Sequence, residues 1–368
     1  MIPPFFHHYL IWVGQRARTL GAKRIYFLSR EGLWLSSQYE LLRGRAKRPD
    51  DYPLGCHLAV SRLSTYLPSF SSVEDAKSSY RRGQYRTSSD TAMLSSFGYE
   101  GEGDAEQWLE ERRKTQRQAL NVYLGQNGVT KDNAAFVADI GWRGSIQDNL
   151  ARLHPEMAWH GLYFHLQPFI VDQAANVSKE EFLLPAENRN KKLLRRLRFT
   201  APLEFLLAHY GGAVLGYDLA GGSATPEIEQ GNDLFEPGIW EGLLQLRAEM
   251  ELAAVNFSLD DTADRGAALN AALTLLERPN SRVYELYFAT RRDERFGSGG
   301  FLDIEKISTA ELMLSIFSSE TRRSVAKRLA LSGWPWAMLR RDTPVFASLL
   351  RHALLRLDLS LGKPRQHT

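Results

Sequence analysis

The chain has 368 residues, of which 43% are hydrophobic and 24% are charged, and its formal net charge is +3. This length can bury two cores, and so small a net charge gives no reason of its own to expect nucleic acid as a partner. We therefore expect a globular protein with one α/β domain, one further domain and no nucleic-acid partner.

The first 21 residues contain only a short apolar run, which His7 and His8 interrupt and which no basic residue precedes. This pattern predicts neither a signal peptide nor a membrane span. Cys56 is the only cysteine, so no intrachain disulfide can form and a reducing cytoplasm is the expected compartment.

Four apolar, β-rich runs predict strands in the first half of the chain, at residues 24–29, 57–61, 134–139 and 159–166. Helix-like sequence follows the first and third runs. Apolar strands that alternate with helices are typical of a parallel sheet covered on both faces. A long polar helix lies between the second and third runs, so we predict a helical insertion at about residues 64–128.

The first predicted strand runs through "IYFLSREGLWL" into a helix. Ser29, Arg30 and Gly32 provide a hydroxyl, a forked cation and an accessible backbone, which suit a diphosphate. Glu31 could help to hold a divalent ion bound to that diphosphate. Arg62 ends the second predicted strand and adds a cation nearby. The alternatives are a solvated turn for Arg30 and Glu31, and an ordinary surface arginine for Arg62.

The third predicted strand runs through "AAFVADIGWRGSIQDNL" into another helix, whose first N–H groups and dipole favour an anion. Gly141 and Gly144 allow a tight turn and close approach of the backbone to a phosphate. Ser145 can cap the helix or donate to a phosphate oxygen, and Arg143 adds charge. Asp139 can accept hydrogen bonds from sugar hydroxyls. The alternative is a strand-to-helix junction whose glycines serve packing alone.

The second half of the chain has a different character, because apolar residues recur there at intervals of three and four. Helices are predicted from residues 201, 237, 263, 308 and 343, with Gly or Pro near their ends. We therefore divide the chain into two domains. An α/β domain spans residues 1–175, and a mostly helical domain spans residues 176–368.

Two regions are rich in cations. Residues 188–199 hold six cations among leucines, and residues 322–365 hold ten Lys or Arg against Asp342 and Asp358. Together with "LSGWPWAMLRR", these regions could lie on an anionic membrane surface. Ordinary solvated helix faces are the alternative.

The motifs "FLSREG", "VSR", "DIGWRGSIQ" and "PLEFLLAHYGGAVLGY" resemble those of type I phosphoribosyltransferases. The resemblance is greater to the phosphoribosyltransferase modules of bacterial polysaccharide clusters, which are often fused to a haloacid-dehalogenase-type phosphatase. It covers roughly residues 5 to 217. No "DxDxT" phosphatase motif is present, so the resemblance implies that a separate phosphatase acts on the product.

The resemblance implies transfer of 5-phosphoribose from phosphoribosyl pyrophosphate to a sugar hydroxyl of a growing polysaccharide. Contact of the basic regions with a membrane would bring the enzyme to a lipid-linked acceptor. The "SREG" loop would then hold pyrophosphate, Asp139 the ribose hydroxyls, and the glycine loop the 5-phosphate. The helical domain would lie on the acceptor side. The predicted substrate-binding residues are Ser29, Arg30, Gly32, Arg62, Gly141, Trp142, Arg143, Gly144, Ser145, Gln147 and Glu204.

The chemistry of this transfer needs a stabilised leaving group and a base for the sugar hydroxyl. Arg30, backbone N–H groups and a magnesium ion would stabilise the pyrophosphate, and the ion would be held mainly by the donor, with Glu31 as its one candidate protein ligand. Asp139 and Glu31 are the predicted catalytic carboxylates. Glu204 is a candidate for contact with the acceptor, and a structural position on a helix surface is its alternative.

Other chemistry is not indicated by the sequence. It contains no "GxxxxGK[ST]", "GxGxxG", "HExxH" or "DxD" motif and no cysteine cluster. The expected enzyme is cytoplasmic, with possible peripheral contact at the inner face of the inner membrane. A non-catalytic module that binds phosphoribosyl pyrophosphate or another sugar phosphate is the alternative function.

Overall fold

The computed structural model describes residues 3–82, 90–101, 103–131, 134–169, 172–229, 237–290 and 305–345. Its centre is a sheet of five parallel strands. The strands are β1 Arg24–Leu28, β2 Leu54–Leu58, β3 Ala135–Trp142, β4 Trp159–Leu166 and β5 Val177–Glu181. Their order across the sheet is β2, β1, β3, β4, β5. The predicted α/β class is confirmed. The first, third and fourth predicted strands match β1, β3 and β4, whereas the second, at residues 57–61, begins too late and shares only residues 57 and 58 with β2.

Helices cover both faces of the sheet, because successive strand residues point to opposite sides. Ile25 and Phe27 belong to a core shared with α1 (Phe5–Thr19) and α2 (Ser29–Gly44). Tyr26 and Leu28 belong to the opposite core, which contains side chains of α6 and α7. These two helices are α6 Ala105–Gln126 and α7 Ser145–Leu153.

The region between β2 and β3 is helical, as the sequence predicts. It comprises α3 Arg62–Ser69, α4 Val73–Arg82, α5 Asp90–Ser96 and α6. Ser61 and Ser64 form a capping box at the start of α3, and Asp104 caps α6. A separate small apolar core holds α3, α4, α5 and the start of α6 together.

Most of the described residues after β5 are helical. The helices are α8 Lys191–Arg196, α9 Ala201–Leu207, α10 Pro237–Ala253, α11 Arg265–Glu277, α12 Ser281–Ala289, α13 Thr309–Phe317, α14 Ser319–Leu331 and α15 Pro335–Asp342. The helix predicted from residue 308 is two helices, because Ser318 ends α13 and caps α14 through Thr321 N. The helix predicted from residue 343 lies mostly outside the described residues. None of the helices in the described ranges is long and apolar enough to cross a membrane.

Two strand elements were not predicted. The fifth strand, β5, joins the parallel sheet just after residue 175. An antiparallel hairpin, β6 Val214–Ala220 and β7 Ser223–Ile228, interrupts the helical region. Gly221 and Gly222 connect its strands, both with positive φ. Such a Gly-Gly pair between β-forming runs is a hairpin signal that could have predicted this element.

Candidate active site

The two predicted phosphate junctions lie side by side in the structure. β1 and β3 are neighbours, with Tyr26 opposite Val137 and Phe27 opposite Ala138. The strand order reverses between them, because β2 lies beyond β1 and β4 beyond β3. In open parallel sheets, ligands bind in the crevice outside the carboxyl ends of the strands at such a reversal. We call this crevice the cleft, and its walls begin with the β1–α2 and β3–α7 junctions.

The β3–α7 junction has an unusual backbone. Gly141, Trp142 and Gly144 all have positive φ, at 116°, 91° and 67°. A Cβ atom on Gly141 would lie 1.7 Å from the carbonyl oxygen of His165, so only glycine can occupy this position. Trp142 is strained, because a large side chain rarely adopts such a conformation. The loop therefore holds a shape that ordinary residues disfavour.

Two carbonyl groups of this loop are held by other segments, one just after β4 and one in β5. The carbonyl oxygen of Trp142 accepts from the N–H of Gln167 at 2.6 Å, and that of Arg143 accepts from Nζ of Lys179 at 2.8 Å. A planar trans peptide directs its N–H opposite to its C=O. The N–H groups that follow these carbonyls therefore point away from Gln167 and Lys179. Together with the start of α7, which has no side-chain cap, they are suited to bind an anion.

A buried ion pair supports the loop from below. Nζ of Lys179 lies 2.6 Å from Oδ1 of Asp148, and the lysine side chain is 2% exposed. Burial lowers the pKa of Lys179 and raises that of Asp148, and the attraction between the two charges opposes both shifts. A Cβ atom on Gly144 would lie 2.6 Å from Oη of Tyr163 and 2.9 Å from Cε of Lys179. The loop is thus packed too tightly for a side chain at Gly144.

Gln147 lies in the core beneath the junction. Its side chain is fully buried, and Nε2 donates to the carbonyl oxygens of Trp159 at 2.9 Å and Ser178 at 3.0 Å. Its Oε1 accepts from the hydroxyl of Tyr163 at 2.8 Å. With these bonds made, Gln147 fixes α7 against the sheet. The other predicted substrate-binding residues of this region, residues 141–145, form the junction itself.

The β1–α2 junction is built differently. Ser29 has a φ of 65°, and its carbonyl oxygen lies 2.9 Å from Nε2 of His57. Gly32 is buried, and a Cβ atom there would lie 2.5 Å from the carbonyl oxygen of Phe27. This glycine therefore lets α2 start close to β1. Arg30 is partly exposed, and Nη2 of this residue lies 4.0 Å from Oε1 of Glu31, which is 6% exposed.

Three carboxyl groups converge at the cleft, from α2, β3 and α9. Burial, and then the charge of Glu31, raises the pKa of Glu204 to about 7, against the pull of Arg62 and Arg30. Burial, then Glu31 and Glu204, raises the pKa of Asp139 well above its ordinary value. The N–H of Ile140, 2.8 Å from Oδ1 of Asp139, partly opposes this shift. We call Glu31, Asp139 and Glu204 the carboxylate cluster.

Glu204 lies near the starts of α2 and α3. This residue lies on α9 and is partly exposed, and its charge interacts with residues of the α2 and α3 starts. Arg62, the first residue of α3, is one of these partners and is exposed. Both residues therefore belong to the walls of the cleft. The carboxylate cluster is not a metal cage, because no group of at least three His, Cys, Asp or Glu with metal-binding geometry occurs among the described residues.

Three cleft-side residues were not predicted from the sequence. His57 of β2 holds the β1–α2 junction, and Lys179 of β5 holds the β3–α7 loop. His209 follows α9, and its pKa is lowered by burial and then by the charges of Arg247, His57 and Arg30. Only His209 carried a sequence signal, since it falls within the "PLEFLLAHYGG" motif.

No protein-family model matches the chain, and no curated protein matches it.

Proposed function

We propose that this protein is a phosphoribosyltransferase with a type I-like core, which moves 5-phosphoribose from phosphoribosyl pyrophosphate to a sugar hydroxyl of a growing bacterial polysaccharide. One observation carries the proposal. Two strand–helix junctions suited to phosphate groups lie on adjacent strands at the reversal of the sheet, with the carboxylate cluster between them. A donor with phosphates at both ends of a ribose matches this arrangement.

In the proposed complex, the β3–α7 loop binds the 5-phosphate through backbone N–H groups. The start of α2 binds the pyrophosphate through Ser29 and Arg30, and Arg62 adds a second cation. The ribose ring then lies over Asp139, whose carboxyl group can hydrogen-bond the ring hydroxyls. Since these groups are fixed by the junctions before the donor arrives, little ordering is needed on binding.

The transfer forms a bond between the acceptor oxygen and the anomeric carbon and breaks the bond from that carbon to pyrophosphate. The bonding electrons leave with pyrophosphate, and the acceptor hydroxyl loses its proton to a base. Glu204 is the best-matched base, because a pKa of about 7 leaves much of it ionised at neutral pH while keeping it a strong proton acceptor. Asp139 and Glu31 then serve the donor.

The carboxylate cluster is compatible with a magnesium ion that has one protein ligand. Glu31 is a buried carboxylate beside the proposed pyrophosphate position, and no complete protein cage occurs in the described ranges. The ion would be held mainly by phosphate oxygens, with Glu31 as its protein ligand. When bound, it would neutralise charge on the leaving group.

The remaining parts of the proposal concern the surroundings of the reaction. The acceptor is a lipid-linked glycan of an O antigen or capsule type, and a separate phosphatase converts the product to ribofuranose. The enzyme works in the cytoplasm, with peripheral contact at the inner face of the inner membrane. In support of such contact, Lys191, Lys192 and Arg195 of α8 are exposed, whereas Arg189 and Arg196 lie in ion pairs.

Two measurements test the function. Phosphoribosyl pyrophosphate with magnesium should raise the melting temperature more than nucleotide sugars do, because the cleft presents phosphate sites without a nucleotide motif. Pyrophosphate release should then depend on an added glycan acceptor. An equal thermal shift with nucleotide sugars, or no shift with phosphoribosyl pyrophosphate, would contradict the proposed donor.

A non-catalytic module that binds the same donor or another sugar phosphate is the second candidate. The two junctions support it equally well. Glu204 favours the enzyme, because a binding module needs no carboxyl group with a pKa near 7 beside the ligand. Donor binding without pyrophosphate release, across a panel of glycan acceptors, would favour the binding module.

A further inference from the structure

Arg247 is a buried arginine that forms no direct ion pair among the described residues. This residue of α10 is 6% exposed, and no carboxylate lies within ion-pair distance of it among the described residues. Its Nε donates to the carbonyl oxygen of Leu206 at 2.8 Å, and Nη2 donates to that of Ala208. Burial lowers the pKa of Arg247 to about 10. A buried cation whose charge stays unpaired is costly, and such groups are concentrated at binding sites.

The guanidinium of Arg247 is held in one orientation. The carbonyls that it binds belong to the end of α9, and the ring of Trp240 lies 5.4 Å from its central carbon. Its third nitrogen, Nη1, has no hydrogen-bond partner among the described residues and is not one of their fully buried polar atoms. A fixed guanidinium with one free nitrogen can donate to a ligand at little further entropic cost.

Two further groups that can donate to an anion, His209 and Arg30, lie near Arg247. His209 lies within electrostatic range of Arg247, His57 and Arg30. Its Nδ1 accepts from the N–H of Gly211 at 2.9 Å, so the proton of the neutral ring is on Nε2. That Nε2–H is available as a donor. These groups belong to the start of α2, the segment after α9, and α10.

Two carboxylates oppose this positive charge without neutralising it. The charges of Glu251 and Glu31 both act on Arg247. Oε1 of Glu251 already accepts from Nε1 of Trp34 at 2.8 Å and Nε2 of Gln38 at 3.2 Å. Glu31 faces the carboxylate cluster, where its charge acts on Asp139 and Glu204. Neither carboxylate forms a direct ion pair with Arg247 among the described residues, so its Nη1 can still donate to an anionic ligand.

We propose that Arg247, His209 and Arg30 form a second anion subsite, distinct from the β3–α7 loop, that binds a phosphate-type group. The proposal deepens the proposed function and rests on it for the source of that group. The diphosphate of the donor is one source, because Arg30 starts α2. A phosphate or carboxylate of the acceptor is the other, because α9 and α10 lie in the second half of the chain.

Titration calorimetry with two probes tests the subsite. Inorganic pyrophosphate without metal reports on the Arg247 region, and ribose 5-phosphate reports on the β3–α7 loop. Arg247→Met should weaken pyrophosphate binding by at least about tenfold, the effect of one lost charge-assisted hydrogen bond, and leave ribose 5-phosphate binding nearly unchanged. Arg282→Met is the matched control, since Arg282 pairs with Glu249 of α10 at 2.7 Å instead of facing the cleft.

Two further variants keep the test decisive if Arg247→Met does not fold. Arg247→Lys keeps the charge and should retain part of the pyrophosphate affinity. His209→Asn keeps an acceptor for the N–H of Gly211 but removes the Nε2–H donor, so it should weaken pyrophosphate binding without loss of thermal stability. Unchanged pyrophosphate affinity in folded Arg247→Met and His209→Asn would overturn the subsite. So would equal losses for both probes.

Kinetics identify the source of the anion. A raised KM for phosphoribosyl pyrophosphate in Arg247→Lys assigns the subsite to the donor, and a raised KM for the glycan assigns it to the acceptor. If neither KM changes, the subsite is overturned. The wild-type protein could bind pyrophosphate through Arg247 and yet transfer no phosphoribose. That result would contradict the proposed function but not the subsite.

Discussion

The β3–α7 loop and the carboxylate cluster are neighbours in the cleft, but the loop is formed by backbone groups and the cluster by side chains. The loop is formed by backbone: Gly141 and Gly144 lie where a Cβ atom would collide, and two carbonyls are tied to other segments. The cluster is formed by side chains from three separate elements. Burial raises the pKa of two of these carboxyl groups, those of Asp139 and Glu204. The loop is specified by shape, and the cluster by charge.

This difference predicts how each region responds to change. A backbone site tolerates changes of charge nearby but not of volume, because its donors are N–H groups that any residue supplies. A cluster of like charges tolerates modest changes of shape, but it responds strongly when one charge is removed, because each group sets the ionisation of the others. The following substitutions separate the two cases.

Removal of the charge at Glu204 should have the largest effect. Glu204→Gln keeps the shape of the side chain, but the amide cannot take the proton from the sugar hydroxyl of the acceptor. Turnover should therefore fall by at least about two powers of ten. The pH profile of turnover should also lose its limb near pH 7, which reflects the pKa of this group. Steady-state pyrophosphate release between pH 5.5 and 8.5 measures both effects.

The matched control for that variant is Glu285→Gln, which removes an exposed carboxylate of α12. It should leave turnover and the pH profile as in the wild type. A Glu204→Gln protein that retains near-normal turnover would show that the base lies elsewhere in the carboxylate cluster.

A small change of volume should damage the loop. Gly144→Ala places a Cβ atom 2.6 Å from Oη of Tyr163, at a φ of 67°, so the loop must shift. Displacement of one or two N–H donors to a charged phosphate should lower ribose 5-phosphate affinity by about tenfold to a hundredfold. Gly21→Ala is the control, because Gly21 has a φ of 76° but open space around it. Equal affinities in the two variants would mean that the loop does not bind the phosphate.

Sequence predicted the positions of these regions better than their construction. The apolar runs gave β1, β3, β4 and the end of β2, and the glycines at positions 141 and 144 marked the loop. The strand β5 was missed because "VSKEE" reads as polar. Lys179 and Glu181 are nevertheless buried there, since Asp148 and His165 supply partners from distant parts of the chain. The burial of Arg247 and Gln147 was not predicted for the same reason: tertiary partners decide whether a polar residue is buried.

The pH dependence of the free energy of unfolding should show the cost of ionising Glu204 in the carboxylate cluster. The pKa of Glu204 is raised from 4.5 to about 7, so folding favours its protonated form. Stability should therefore fall as pH rises from about 4.5 to about 7. At pH 8, Glu204→Gln should be more stable than the wild type by about 1 to 3 kcal/mol, and at pH 4 the two should be nearly equal. Urea denaturation at both pH values checks this, and a variant that is less stable at pH 8 would contradict it.

The smallest effect is expected at Asp139. Burial and the charges of Glu31 and Glu204 favour its neutral form, and asparagine resembles that form in shape and charge. The amide oxygen can still accept from the N–H of Ile140, which lies 2.8 Å from Oδ1. Asp139→Asn should therefore fold normally and keep single-turnover transfer within about tenfold of the wild type, because it loses no charge that the mechanism uses. The measurement is transfer to a glycan acceptor beside Glu204→Gln in the same assay, with thermal stability recorded for both. A hundredfold loss in folded Asp139→Asn would mean that Asp139 acts as a carboxylate, and the proton would then pass to Asp139 instead of Glu204.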